Sequence, residues 1–277
     1  MDNTNNISTK KPAINFTKTV AHKDTYSSPK EALGSKFLAT PRFFYKMIMI
    51  VLRANRKAVA GKYNSLAWYD SSVDVRESLE SVGIKFEFEG MDCFRKAEGP
   101  FVFIGNHMST LETVVLPGII RSEMPVVFVT KEELTTYPVF GPVSVARHPI
   151  IVGRTNPKED LITVFEEGTK RLSEGTSVGI FPQKTRSDVF NASEFNSLGV
   201  KLAKKAGVKV IPVALLTDAW ANGKVVKEAG KIDPNKTVYI SFGEPMTVTG
   251  NGAEEHKKII SFISEKLTAW GRADLVL

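Results

Sequence analysis

Two stretches of this chain place reactive side chains directly after an apolar run. In the first, Phe101-Val102-Phe103-Ile104-Gly105 gives way to Asn106 and His107, with Glu112 five residues beyond the histidine. In the second, Ile180-Phe181-Pro182 is followed by Gln183, Lys184, Thr185, Arg186 and Ser187. An imidazole held through one ring nitrogen by a carboxylate keeps the other nitrogen as an acceptor, so His107 with Glu112 suits a general base acting on a hydroxyl. An arginine fork beside a lysine ammonium and a threonine hydroxyl suits a phosphate group. Arg154, just beyond the apolar run Ile150 to Val152, is a further cation of this kind.

Each feature also has a plainer explanation. Ser109-Thr110-Leu111-Glu112 is an S-x-x-E capping box, in which Glu112 serves only the backbone of a helix start. On one continuous helix Glu112 would point about 140° away from His107. Contact therefore requires His107 in a loop, Ser109 as N-cap and Glu112 in the first turn. His107 alone fits a hydrogen-bonded histidine at a strand end, and Lys184 with Arg186 fits an ordinary solvated turn.

The elements that must position these residues alternate. Phe101 to Ile104, Val126 to Val129, Ile150 to Val152, Val178 to Phe181 and Val210 to Leu215 read as short buried strands, separated by helix-length segments such as Lys158 to Glu174 and Phe195 to Ala206. Ile84, Phe86 and Phe88 alternate as an entering strand, Val238 to Phe242 is a late strand, and Ala253 to Trp270 closes the chain as an amphipathic helix. This order predicts an α/β fold with a mostly parallel or mixed sheet covered by helices. In such sheets ligands bind beyond the carboxyl ends of the strands, so the two polar stretches can meet in one pocket.

The first 35 residues, rich in Asn, Thr, Ser and Lys, predict a flexible polar tail without a signal-peptide core. Residues 36–82 predict a helical region and 83–277 the main domain. Phe43 to Leu52 is the most apolar stretch but is about half the roughly 20 residues a membrane span needs. With Arg42, Lys46, Arg53, Arg56 and Lys57 around it, it fits a helix lying in an anionic interface with Phe43, Phe44, Ile48 and Leu52 toward lipid, or else a core helix with a basic end. The formal net charge of +7 suits an anionic partner, and the single Cys93 excludes an intrachain disulfide framework. His22, His107, His148 and His256 offer no zinc spacing, and no phosphate-loop glycine pattern occurs. Cations not interleaved with a row of aromatics argue against nucleic acid.

Taken in order, Asn106-His107-x4-Glu112, Gly153-Arg154, FPQKTRS from Phe181 and Val210-Ile211-Pro212-Val213-Ala214 resemble the four motifs of the glycerolipid acyltransferases, particularly the 1-acylglycerol-3-phosphate acyltransferases. Lys131-Glu132-Glu133-Leu134 and Phe242-Gly243-Glu244-Pro245 also look like that family's intervening and trailing segments. The resemblance runs from about Phe86 to the C-terminus. It implies a glycerol-3-phosphate acyltransferase-like fold with a membrane-docking N-terminal helical region. It also implies acyl transfer from a thioester of coenzyme A or acyl carrier protein, as co-substrate and without a further cofactor, to the hydroxyl of a lysophospholipid acceptor. His107 would take the hydroxyl proton, Glu112 would orient the imidazole, and Arg154, Gln183, Lys184, Thr185 and Arg186 would lie around the acceptor's phosphate. A monotopic or peripheral location on an anionic membrane surface, at the cytoplasmic face, follows from the same resemblance.

The chain departs from the family pattern at two places. Glu112 stands where Asp is usual, and Gln183-Lys184 stands where Glu-Gly is usual. The second change makes that loop two charges more positive, which favours a phosphomonoester acceptor. Loss of the family's Glu at Gln183 also leaves room for a non-catalytic lipid-binding protein on the same fold, or an acyltransferase for another lipid.

Overall fold

The computed structural model describes residues 23–153, 155–224 and 226–277. Strand β1 (Tyr26–Ser27) precedes helices α1 (Ala39–Val59) and α2 (Ser65–Glu80). Then come β2 (Lys85–Glu89), α3 (Asp92–Arg95), β3 (Phe101–Gly105), α4 (Thr110–Ile120), β4 (Val126–Lys131), α5 (Glu133–Thr136), α6 (Phe140–Val145) and β5 (Ile150–Val152). The chain continues through α7 (Pro157–Ser173), β6 (Ser177–Ile180), α8 (Leu198–Ala206), β7 (Lys209–Leu216), β8 (Thr237–Phe242) and α9 (Ala253–Ala269). The strands form one sheet in the order β1-β2-β8-β7-β3-β6-β4-β5. Its neighbours are parallel except at β1–β2 and β7–β8, so the sheet is mixed and mostly parallel.

Strand β3 lies between β7 and β6, and all its residues are buried. Because successive side chains of a strand face opposite ways, Phe101 and Phe103 enter one core while Val102 and Ile104 enter the other. Phe43, Leu79, Leu111 and Val115 from α1, α2 and α4 meet the first pair's side of the sheet. Val164, Leu202 and Ile259 from α7, α8 and α9 meet the second. Burial on both faces is why this strand reads as an unbroken apolar run. Since β3, β4, β6 and β7 are parallel, their carboxyl ends share one edge of the sheet. That edge collects the loops carrying His107, Lys131, Gln183 to Arg186, and Thr217.

The expected tail boundary is corrected. Residues 1–22 lie outside those described, but Tyr26 and Ser27 pair with Phe88 and Glu87 of β2. Tyr26 and Ser28 each donate a hydroxyl hydrogen bond of 2.6 Å to the buried Glu80, which also pairs with Arg76 at 3.3 Å. A polar segment is ordered here because it completes the hydrogen bonding of a buried ion pair, and a buried charge without partners is costly.

Helix α1 divides the set of side chains expected to face lipid. Phe43 is fully buried against the Trp220 ring, with centroids 4.8 Å apart, and Phe44 packs on the same indole at 5.8 Å. Ile48 and Leu52 do point outward, and Tyr45, Met49 and Val59 extend the exposed apolar face. The helix has 21 residues, so at 3.6 per turn it presents a core stripe and an outer stripe at once. Lys46 and Arg42 are turned inward to the C-terminal end of α2, where Lys46 donates to Ser81 Oγ at 2.6 Å, while Arg56 and Lys57 are exposed.

Helix α8 begins at Leu198 rather than Phe195. Asn196 Oδ1 accepts from the Leu198 N–H at 3.0 Å, an Asx-type start that delays the helix.

Candidate active site

The loop after β3 is tied down before it reaches His107. Asn106 exchanges two hydrogen bonds of 2.8 Å with the backbone of Leu215, extending the pairing with β7 by a side chain. Ser109, with φ −145°, then caps α4, and its Oγ accepts from the Leu111 N–H at 3.1 Å. His107 is thus in the loop and Glu112 in the first turn, and His107 Nδ1 lies 2.9 Å from Glu112 Oε1.

Capping and contact with His107 turn out to be compatible for Glu112. Its Oε1 also accepts the backbone N–H groups of Met108 at 2.7 Å and Ser109 at 2.8 Å. Its Oε2 accepts from Thr217 Oγ1 at 2.6 Å, beyond the end of β7. The side chain is wholly buried. Burial alone would raise its pKa, but the hydrogen bond and charge of His107, with donors from Thr217 and the Ser109 backbone, together outweigh it and hold the carboxyl below its ordinary range. An ionised Glu112 fixes Nδ1 as the protonated nitrogen and leaves Nε2 as the acceptor. The imidazole stacks on Phe181 with centroids 4.7 Å apart and planes 10° from parallel. Phe181 in turn stacks on Phe128. Gly179 permits this, because a Cβ there would come within 2.3 Å of the Phe128 ring.

The expected phosphate loop separates into two parts. Gln183 is buried, and its Oε1 accepts the His107 N–H at 2.6 Å. Ser187 N–H donates to the His107 carbonyl at 2.9 Å, so this loop grips the backbone of His107 on both sides. Gln183 is therefore a support for His107 and not a side chain presented to a ligand. Lys184 is exposed, and the cavity lining contains neither Gln183 nor Lys184. Both are corrected as candidate ligand contacts, since the residue after a strand end can turn its side chain into or out of the crevice and spacing alone does not set which. Thr185 and Arg186 do line the cavity. Arg186 donates through Nη1 to Thr110 Oγ1, in the first turn of α4, and through Nη2 to Glu228. Arg154 lies outside the described residues.

The cavity has a volume of about 410 Å³. Its polar part includes His107, Thr110, Lys131, Thr185, Arg186 and Glu228, with Glu133 and Arg147 also on the wall. Its apolar part is formed by side chains such as Phe44, Met47, Trp68, Phe128, Val129 and Phe140. An apolar chamber with a few convergent polar groups suits an amphiphilic ligand. A base, a cationic cluster and this chamber together can hold an acyl chain, a phosphate and a hydroxyl in one place.

Several residues here were not singled out as site residues in the sequence. Thr217 and Lys131 stand at the carboxyl ends of β7 and β4, so the rule that selected His107 would have reached them. Lys227 and Glu228 carry no such signal. They lie in an irregular loop, where Lys227 donates to Thr185 Oγ1 at 2.8 Å and Glu228 pairs with Arg186. Burial works to raise the pKa of Glu228, but the Arg186 hydrogen bond leads the opposing interactions, aided by the charges of Arg186 and Lys131, and it stays below the ordinary range.

Residues 85–216 match the Acyltransferase family model. The 1-acyl-sn-glycerol-3-phosphate acyltransferase of Pseudomonas aeruginosa is 31% identical over 188 residues, 68% of this chain and 68% of that protein. The chloroplastic 1-acyl-sn-glycerol-3-phosphate acyltransferase LPAT1 of Arabidopsis thaliana is 26% identical over 48% of this chain, which spans 36% of it. The Borreliella burgdorferi 1-acyl-sn-glycerol-3-phosphate acyltransferase is 27% identical over 51% of this chain and 55% of its own. Among solved structures, the 1-acyl-sn-glycerophosphate (LPA) acyltransferase PlsC of Thermotoga maritima superposes with a TM-score of 0.67, covering 85% of this chain and 96% of that one at 18% identity, which shows a shared fold. The chain belongs to the acyltransferase family.

Proposed function

We propose that this enzyme transfers a fatty acyl group from an acyl thioester of coenzyme A or acyl carrier protein to the hydroxyl of a lysophospholipid, 1-acylglycerol-3-phosphate, in phospholipid synthesis. The acceptor hydroxyl gives its proton to His107 Nε2 as its oxygen attacks the thioester carbonyl. The C–S bond then breaks, the imidazolium returns the proton to the departing thiolate, and an ester and a free thiol result. Glu112 stabilises the imidazolium in between. The observation that carries this reading is the single cavity in which His107, held by Glu112 at 2.9 Å, meets both the Arg186 cluster and an apolar chamber. A non-catalytic reading rested on the absence of a glutamate at position 183. It is weakened because Gln183 supports His107 in the way any acceptor side chain there would.

The proposal includes docking on an anionic membrane at the cytoplasmic face, monotopic or peripheral. No helix among the described residues is long and apolar enough to cross a membrane. Support comes from the exposed apolar stripe Tyr45, Ile48, Met49 and Leu52 with Arg56 and Lys57 beside it, and from exposed Val139, whose carbonyl accepts from Asn55 of α1 at 2.8 Å.

The test is incubation of the purified protein with labelled acyl-coenzyme A or acyl carrier protein and a panel of lysolipids presented in anionic vesicles. Esterification of lysophosphatidic acid above the zwitterionic lysolipids is expected. Labelled lipid bound without product would refute the reading. A variant carrying Ile48→Ser, Met49→Ser and Leu52→Ser should lose sedimentation with those vesicles, because its substitutions spare the buried Phe43.

A further inference from the structure

Arg186 does not stand open to a ligand. Its guanidinium is spanned between Thr110 and the Glu228 carboxylate, and its side chain is only 15% accessible. Two cations from separate segments act on Glu228, Arg186 after β6 and Lys131 at the end of β4, while Lys227, its neighbour in sequence, is bound to Thr185. A carboxylate held between cations supplied by two separate segments marks a site arranged for an anion.

Glu228 is also free to leave. Its backbone is fastened, because its carbonyl accepts from Trp220 Nε1 at 3.0 Å and the loop closes through Gly223 N–H to Lys227 O at 3.0 Å. Its side chain, in contrast, is 37% accessible. Rotation about side-chain bonds can carry the carboxylate into solvent without moving the backbone.

We propose that Glu228 is an internal competitor for the anion site: it occupies Arg186 when no substrate is bound, and the acceptor's phosphate must displace it. This rests on the acyl-transfer reading for the identity of the ligand, and the chemistry it names is a phosphate monoester. While Glu228 is in place it keeps Arg186 paired and held beside Thr110, in the same first turn of α4 as Glu112. Once displaced, it leaves the guanidinium aimed at the phosphate, on the loop that grips His107. A ligand that binds only the displaced form has its apparent affinity reduced by the fraction of that form, so the device weakens binding of every phosphate ligand by one common factor.

The experiment compares wild type with Glu228→Gln, which keeps the shape and removes the charge. Binding of glycerol 3-phosphate followed by NMR, and KM for lysophosphatidic acid, should both tighten in the variant by the same factor. That factor is about two- to fivefold, as expected for a partly exposed ion pair, and the change should fall on KM rather than kcat. Unchanged or weaker binding, with an unchanged melting curve, would make Glu228 a structural partner of Arg186 and overturn the proposal. Tighter glycerol 3-phosphate binding by a protein that transfers no acyl group would refute the acyl-transfer reading alone. Turnover with a KM unmoved by Glu228→Gln would refute the displacement alone.

Discussion

The two loops that meet at the cavity are built in opposite ways. Residues 106–112 are locked: Asn106 is stitched to Leu215, and Glu112, wholly buried, takes hydrogen bonds from His107, Met108, Ser109 and Thr217. The anion side, from Thr185 to Arg186 with Lys227 and Glu228, is joined by ion pairs and hydroxyl contacts that water reaches. A general base must be held in one tautomer and one orientation, and burial supplies that rigidity. A charged ligand has to enter and leave, and a cluster that exchanges one anion for another permits it.

The sharpest way to break this comparison is His107→Ala, which should cost acyl transfer roughly 100- to 10,000-fold, the usual worth of a general base, with little loss of stability. Near-wild-type turnover would remove His107 from the chemistry.

Glu112→Gln should follow, because it touches rate and stability together. An amide places a donor against groups that already donate, and one unsatisfied buried group costs about 1–3 kcal/mol. The pH dependence gives the sign. The Glu112 carboxyl is depressed below its ordinary 4.5 in the folded protein, so its contribution to stability is present above that value and is lost as pH falls through the depressed one. The wild-type unfolding free energy should therefore fall more steeply than that of Glu112→Gln over this acid range, and denaturant melts across pH measure it. Ser109→Ala isolates the serine's own share of the cap: it removes the acceptor of the Leu111 N–H and the 3.0 Å hydrogen bond from Ser109 Oγ to Glu112 Oε2, and should cost about 0.5–2 kcal/mol of stability with a smaller loss of rate than Glu112→Gln.

Gln183→Leu tests whether the second loop shares the rigidity of the first where it grips His107. Removing the acceptor of the His107 N–H should cost about 1–3 kcal/mol of stability, and lower kcat more than it raises KM. A pure KM effect would return Gln183 to the ligand.

The smallest effect is expected at Lys184→Gly. An exposed cation off the cavity wall should alter the preference for lysophosphatidic acid over lysophosphatidylcholine by less than about twofold, the scale of a surface charge. A larger change in that ratio would show that Lys184 reaches the acceptor.

Much of the site was legible because it sits at strand ends. The change from an apolar run to polar residues is a local signal, and the side chains it picked out include His107, Thr185 and Arg186, which line one cavity, and Glu112, which contacts His107. It failed at Gln183 and Lys184 for a specific reason: the loop after β6 folds back on His107, so one side chain turns inward to a backbone N–H and the next turns outward. The same limit applies to Phe43 and Ile48, equally apolar neighbours on α1 whose fates depend on where Trp220 lies.

By itself, then, the sequence determined the alternation of strands and helices, the polar positions at the strand ends, and the capping box that starts α4. These follow from periodicity, from backbone hydrogen bonding and from short-range contacts within a few residues. Tertiary structure alone decided that Thr217, 105 residues from Glu112, completes its hydrogen bonding, and that Glu228, 42 residues from Arg186, pairs with it at the cavity. Those partners are chosen by which loops the parallel sheet brings to one edge, and a contact between distant segments leaves no periodic trace in either of them.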